Sequence, residues 1–209
     1  MTGFYQNAEH PKGLGGKIFI NMMNKGHAKL SDWGFTHLTL KKSDNVLDVG
    51  CGGGRNLSKL LKICINGTAA GIDLSEVSVK QSTKFNKKEV DDGRCRIHYG
   101  NVSKLPFEDN SFEAATAFET VYFWQNLASS FIEIFRVIKP GGVFMICNES
   151  DGLNEADIKW TEKINGMTIY NKEQLTELLD KAGFVNITAD NDLEKHWLCI
   201  TAEKPVISE

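Results

Sequence analysis

Four stretches of this 209-residue sequence carry side chains whose types and spacing could do chemistry. The first is Val46-Leu47-Asp48-Val49-Gly50-Cys51-Gly52-Gly53-Gly54, an apolar run that enters a glycine turn. Glycines there permit positive φ and let a ligand lie against the backbone. A helix starting after such a turn offers free N–H groups to an anionic group. A strand-to-helix turn without a ligand has the same composition. A dinucleotide fingerprint would need a small residue at the end of Gly-x-Gly-x-x-Gly/Ala, where this sequence has the bulky Arg55. Asp48 places a carboxylate near the strand's end, which a neighbouring cationic ligand group would explain and phosphates would not. The second stretch is Gly71-Ile72-Asp73-Leu74-Ser75. Asp73 follows the glycine turn at about the distance where an acid accepts hydrogen bonds from ribose hydroxyls; the plain alternative is a helix-capping aspartate.

The third stretch is Ala117-Phe118-Glu119-Thr120-Val121-Tyr122-Phe123-Trp124. Glu119 could bind a cationic substrate or take a proton; a solvated loop glutamate or a cofactor contact is the alternative. Tyr122, Phe123 and Trp124 could wall a pocket and hold a cation over their rings, and at least one of them is expected to be core filler. The fourth is the lead segment, where Asn21, Asn24, His27, Asp32, Trp33 and His37 lie among apolar residues. His27 could serve as a base near neutral pH, with capping and surface exposure as the competing roles. His10, His27, His37, His98 and His196 show no metal-ligand spacing, so no metal is expected.

The pattern of elements says how these stretches are positioned. Strands are predicted over 45–50, 68–74, 94–99, 111–118 and 143–147, with helices over 55–65, from Ser75 to about Asn86, and from Asn126 through Leu127, Phe131, Ile134, Phe135 and Ile138. Pro140-Gly141-Gly142 stops that last helix. A helix over 172–182 ends at Gly183, and strands over 184–189 and 197–202 close the chain as a hairpin. The βαβα order implies a Rossmann-like α/β fold, a mostly parallel sheet with helices on both faces. Ligands then bind beyond the C-terminal strand ends. Residues 1–43 form a separate lead, a helical lid whose apolar stripe runs through Ile18, Met22, Leu30, Trp33 and Leu38, with Gly26 and Gly34 breaking it into two short helices.

Composition narrows the class. Hydrophobic residues make up 41%, charged residues 24%, and the formal net charge is -3 with Lys and Arg scattered. This is not the footprint of a nucleic-acid binder. No apolar run is long enough to span a membrane, and the first residues lack a secretory signal. Cys51, Cys64, Cys95, Cys147 and Cys199 are dispersed, which points to reduced thiols and a cytoplasmic location. Monomer and homodimer are both open.

Taken together, Val46–Gly54 and Gly71–Ser75 resemble the first two motifs of class I S-adenosylmethionine-dependent methyltransferases. Gly100-Asn101-Val102-Ser103-Lys104-Leu105-Pro106-Phe107 is similar to the family's adenine-contacting segment, and Phe135-Arg136-Val137-Ile138-Lys139-Pro140-Gly141-Gly142 to the signature leading into its fifth strand. The branch resembled is the small-molecule one that includes the ubiquinone/menaquinone C-methyltransferases, and the resemblance covers roughly 44–204. It implies seven strands in the order 3-2-1-4-5-7-6 with the last antiparallel, a cofactor-binding domain over 44–209, and S-adenosylmethionine as methyl donor to a small-molecule acceptor. It also implies site roles. Asp48 with Gly50, Cys51 and Gly52 would hold the methionine part, Asp73 and Leu74 the ribose region, and Asn101 and Val102 the adenine. Glu119 would stand at the cofactor's methyl end, with His27 and Tyr122 as further catalytic candidates. Many relatives have Asp where this sequence has Asn101; an amide can both accept from and donate to the adenine edge. The Asn/Asp-Pro-Pro-aromatic motif of RNA- and protein-methylating relatives is replaced by Glu-Thr-Val-Tyr. Methylation of protein or RNA, and a non-catalytic sensor of the cofactor, are the alternatives.

Overall fold

Strands rich in Val, Ile, Ala and Leu, flanked by amphipathic helices, build one sheet in this computed structural model, which describes residues 26–206. The strands are β1 (Val46–Val49), β2 (Ala69–Asp73), β3 (Cys95–Tyr99), β4 (Phe112–Phe118), β5 (Ile138–Asn148), β6 (Val185–Asp192) and β7 (Trp197–Glu203). The helices are α1 (Ala28–Gly34), α2 (Arg55–Ile63), α3 (Glu76–Phe85), α4 (Lys87–Asp91), α5 (Leu127–Val137), α6 (Glu155–Lys163) and α7 (Lys172–Lys181). The sheet runs β3-β2-β1-β4-β5-β7-β6. The β1–β2, β1–β4, β2–β3 and β4–β5 pairs are parallel, and β7 is antiparallel to β5 and β6. This is the order and the antiparallel strand expected of the resembled family.

Each strand alternates its side chains between two layers. Val46 and Ala114 face Leu57, Leu60 and Leu61 of α2, residues that share one face of that helix. Leu47, Val49, Ala115, Ala117, Phe144 and Ile146 face Phe131 and Ile134 of α5 and Leu175 and Leu179 of α7. Local chemistry sets the helix starts. Ser75 and Asn126 accept from the backbone N–H of Ser78 and Ser129, and Asn171 and Gln174 form a capping box. All three helices thereby begin just after strand or loop residues that the sheet fixes.

The structure departs from the sequence reading in three places. β5 starts at Ile138, not after the Pro-Gly-Gly stop. The register jumps from Phe112↔Ile138 to Ala114↔Val143, so Lys139–Gly142 is absorbed as a bulge with Gly141 at φ +77. The helix capped by Ser75 runs to Phe85, as read, but α4, to which the sequence reading assigns nothing, follows it as a separate turn. The sequence reading assigns nothing to 149–171, where α6 lies. Its residues are mostly charged and Trp160 is 41% exposed, so no apolar stripe marks it.

In the lead segment, Ile18 and Met22 lie outside the described residues. The remainder forms α1 and a tight turn, Phe35–His37. Leu30 is 2% exposed and packs with Phe118, Met145, Cys147 and Cys199. Gly34 ends α1, as read, and is also a close approach: a Cβ there would stand 2.6 Å from Cys147 Sγ and 2.9 Å from the Phe118 ring.

Candidate active site

The C-terminal ends of β1, β2 and β4 and the turn after β3 open into one cleft. Its floor is the glycine turn. Gly50 N and Cys51 N both donate to Ile72 O, at 2.8 and 3.1 Å, tying the turn to β2. Asp73 Oδ2 accepts from Gly52 N at 2.9 Å and its Oδ1 accepts from Ser75 N at 2.8 Å. Asp73 therefore joins the turn to the start of α3 and stands in the cleft wall. Gly52 has φ +50, and a Cβ there would meet no protein atom nearer than 4.0 Å. A side chain at this position would occupy the cleft itself, so the cradle is shaped for an external group.

Leu74, Asn101 and Val102 continue the wall. Asn101 Oδ1 accepts from Ser103 N and Ser103 Oγ, at 2.9 and 3.0 Å, which fixes its amide. Leu74 is 45% exposed and Val102 is buried. Cys51 is buried on the turn, its thiol pushed well up by burial.

Asp48 is placed differently: it is 2% exposed and lies behind the wall that Val49 and Gly50 form. Thr116 Oγ1, on the neighbouring strand, donates to its Oδ1 at 2.8 Å. Burial pushes its carboxyl up to about 7, against the Thr116 hydrogen bond and with help from the charge of Asp73; no cation among the described residues offsets this. A buried acid without a cationic partner fits the ammonium group expected of a methionine moiety.

Folding holds the Asp48 proton more tightly than the unfolded chain does, so the group's contribution is fully present below about pH 4 and is lost as pH rises through about 7. Asp48→Asn keeps an acceptor for Thr116 and removes the charge. At pH 8 the cofactor-free variant is expected to melt above the wild type by on the order of 5 °C, with no such gain at pH 5. Calorimetric melting at the two pH values checks this; an equal difference at both would refute it.

A second cavity adjoins the first. His27, Glu119 and Phe123 line both. Glu119 follows β4 with φ +57, an uncommon conformation outside glycine. Its side chain is 11% exposed. Oε1 accepts from Tyr122 Oη at 3.2 Å and from Glu149 N. His27 Nε2 lies 3.8 Å from Glu119 Oε2 and 3.1 Å from Glu149 Oε2. Burial pushes Glu119 up to about 7; His27 opposes that rise and Glu149 adds to it. Burial works against charge on His27, but the hydrogen bond to Glu149 and the two carboxylates outweigh it and raise its pKa above 6.5.

Tyr122 is buried, and its hydroxyl also accepts from Ser150 N at 3.1 Å, so it braces Glu119 against the segment after β5. Tyr122 and Phe123 line the second cavity. Trp124, 9% exposed, lines the first cleft while its ring packs on Phe131; its Nε1 donates to Thr120 Oγ1 at 3.2 Å.

The structure thus brings Gly50, Cys51, Gly52, Asp73, Leu74, Asn101, Val102, Glu119 and His27 to one cleft and sets Asp48 and Tyr122 just behind its wall. It adds Glu149 and Thr120, which the sequence reading did not single out. The β4–β5 register pairs Phe118 with Cys147, so the residues that follow both strands come side by side; two strand-end acids were the available signal. The ligand atoms of His27, Glu119 and Glu149 lie within 4.8 Å of one another, an arrangement able to hold a metal ion. Three separate elements assemble it, so linear histidine spacing does not display it.

Residues 47–146 match the family model described as a methyltransferase domain. That stretch, running from β1 into β5 and making up just under half of the chain, is similar to a methyltransferase domain. The chain is 32% identical over 52% of its length to 24-methylenesterol C-methyltransferase 2 of Arabidopsis thaliana, and that match covers 30% of the plant protein. It is 36% identical over 51% of the chain to squalene methyltransferase 1 of Botryococcus braunii, covering 28% of that protein. The chain therefore spans about a third or less of the length of these curated relatives. Among solved structures, a SAM dependent methyltransferase from Aquifex aeolicus superposes with a TM-score of 0.73 at 19% identity, over 88% of this chain and 96% of that one.

Proposed function

We propose that this protein transfers the methyl group of S-adenosylmethionine to a small-molecule acceptor held in the second cavity. The carrying observation is the shared wall: His27, Glu119 and Phe123 border both spaces, so a donor in the first and an acceptor in the second meet there. The sterol and squalene methyltransferases named above act, by their names, on small molecules and support the acceptor class. When bound, S-adenosylmethionine supplies a sulfonium-activated methyl group and leaves as a neutral thioether.

The protein's part is mainly alignment and exclusion of water. Gly50, Cys51 and Gly52 cradle the methionine part, and Asp48 offsets its ammonium charge. Asp73 takes the ribose hydroxyls while holding Gly52 in place. Leu74, Asn101 and Val102 frame the adenine end. Phe123, on the shared wall, would favour the sulfonium by cation–π attraction. Glu119, fixed by Tyr122, and His27 stand where an acceptor's proton would have to go. Among the described residues no helix is long and apolar enough to cross a membrane. All five cysteines are free and buried, which supports the cytoplasmic placement. Transfer of an isotopically labelled methyl group from S-adenosylmethionine to a metabolite mixture tests the proposal.

A further inference from the structure

The charges around the second cavity do not balance, and the imbalance is local. Glu119, Glu149 and Asp157 contribute carboxylates to its wall; His27, Lys195 and His196 contribute bases. Lys195 is committed elsewhere. Its Nζ donates to Asp192, outside the cavity wall, and stands over the Trp197 ring at 4.7 Å. His196 Nδ1 faces the buried Asp151 at 3.3 Å. That leaves His27 as the one cationic side chain, among the described residues, facing both Glu119 and Glu149. Two carboxylates share one imidazole at the edge of the space where the methyl group would arrive.

The rest of the wall sorts by polarity. Phe123 and Tyr122 flank the acidic end, and Trp160, Ile164, Met167 and Ile169 form an apolar side, with Ser150 and Asn154 also on the wall. Aromatic faces beside a carboxylate pair suit a cation, and the apolar wall suits a hydrocarbon body. An anionic acceptor would meet two carboxyl groups at the transfer point, and a neutral one would leave the acid that the single charge of His27 does not match without a partner.

Resting on the reading of this cavity as the acceptor site, the geometry points to a basic amine on an apolar body as the methyl acceptor, its ammonium group received by Glu119 and Glu149. The acceptor enters protonated and gives one N–H proton to the Glu119 carboxylate. The freed lone pair forms the new N–C bond as the C–S bond of S-adenosylmethionine breaks, its electron pair passing to sulfur. The product is the N-methylated ammonium, and Glu119 returns its proton to water.

The test uses the full chain saturated with S-adenosylhomocysteine and three probes sharing one skeleton: benzylamine, benzyl alcohol and benzoate. Calorimetry is expected to show benzylamine binding at least about tenfold more tightly than either of the others, the scale of one hydrogen bond to a charged group. In Glu149→Gln that preference should shrink at least about fivefold, with affinity for S-adenosylhomocysteine unchanged, because Glu149 does not border the cofactor cleft. Absent benzylamine binding, equal binding of the three, preference for benzoate, or a preference unchanged in Glu149→Gln would each overturn the inference. So would magnesium or manganese ions binding at the His27, Glu119 and Glu149 cluster and displacing benzylamine. Failure to bind S-adenosylhomocysteine would instead contradict the methyltransferase reading itself.

Discussion

Gly50→Ala is expected to reduce turnover by roughly 10²-fold or more, the scale for misplacing a reacting group by an ångström, and to lower the melting temperature. Gly50 sits at φ +72, and a Cβ there would stand 2.1 Å from Thr120 Oγ1 and 2.6 Å from Thr120 Cβ. The backbone conformation costs a non-glycine residue about 1–2 kcal/mol. The contact adds to this, because the loop after β4 cannot withdraw without moving Glu119. The substitution therefore displaces both halves of the site: the cofactor turn and the residue at the methyl end. Gly93→Ala is the control. Gly93 has φ +74, but a Cβ there would meet nothing within 4 Å. It should show the conformational cost alone, with affinity for S-adenosylhomocysteine unchanged. Melting curves and titrations of the two variants separate strain from collision; equal behaviour would show that the approach of Thr120 to the turn is unimportant.

Glu119→Gln is expected to lower turnover by about 10²–10⁴-fold, the range for losing a positioned proton acceptor. The amide oxygen can still accept from Tyr122 and from Glu149 N, so the loop should keep its shape. Wild-type turnover should fall as pH drops through about 7, where Glu119 takes up its proton, whereas the variant should be slow and much less dependent on pH in that range. Binding of S-adenosylhomocysteine should change far less than turnover. A variant that loses cofactor affinity and turnover together would make Glu119 a cofactor contact only. Unchanged turnover would remove it from the chemistry altogether.

Much of this was legible in the sequence because it rests on short-range rules. A glycine turn after an apolar strand, a strand-end aspartate before Ser75, and the Asn126 cap each declare themselves within a few residues, and the structure places them as read. Four motifs in order also implied the strand arrangement. What escaped reading depends on the third dimension. Glu149 acquires meaning only when the β4–β5 register sets it beside Glu119. Thr120 matters because it abuts Gly50, seventy positions away. Lys139–Gly142 looked like a helix stop followed by a loop, yet the sheet takes it up as a bulge, with Gly141 N donating to Lys204 O on the way out of β7. α6 lacks an apolar stripe because it lines the second cavity with Asp157 and Trp160 more than it fills a core. The lead segment also reads differently in place. Leu30 and Gly34 are packed into the face of β4 and β5, so this part of the segment contributes to the core as well as lending His27 to the site.

The cleft at the strand ends is proposed to hold S-adenosylmethionine and to deliver its methyl group across the shared wall. The most direct measurement is mass spectrometry of a metabolite extract incubated with purified protein and S-adenosylmethionine carrying an isotopically labelled methyl group. The expected result is a small molecule that gains the label in step with formation of S-adenosylhomocysteine, with both products strongly reduced in Asp73→Ala. Tight binding of S-adenosylmethionine with no labelled product from any extract would contradict the claim and leave a cofactor sensor in its place. Label appearing in protein or RNA instead would contradict the small-molecule acceptor.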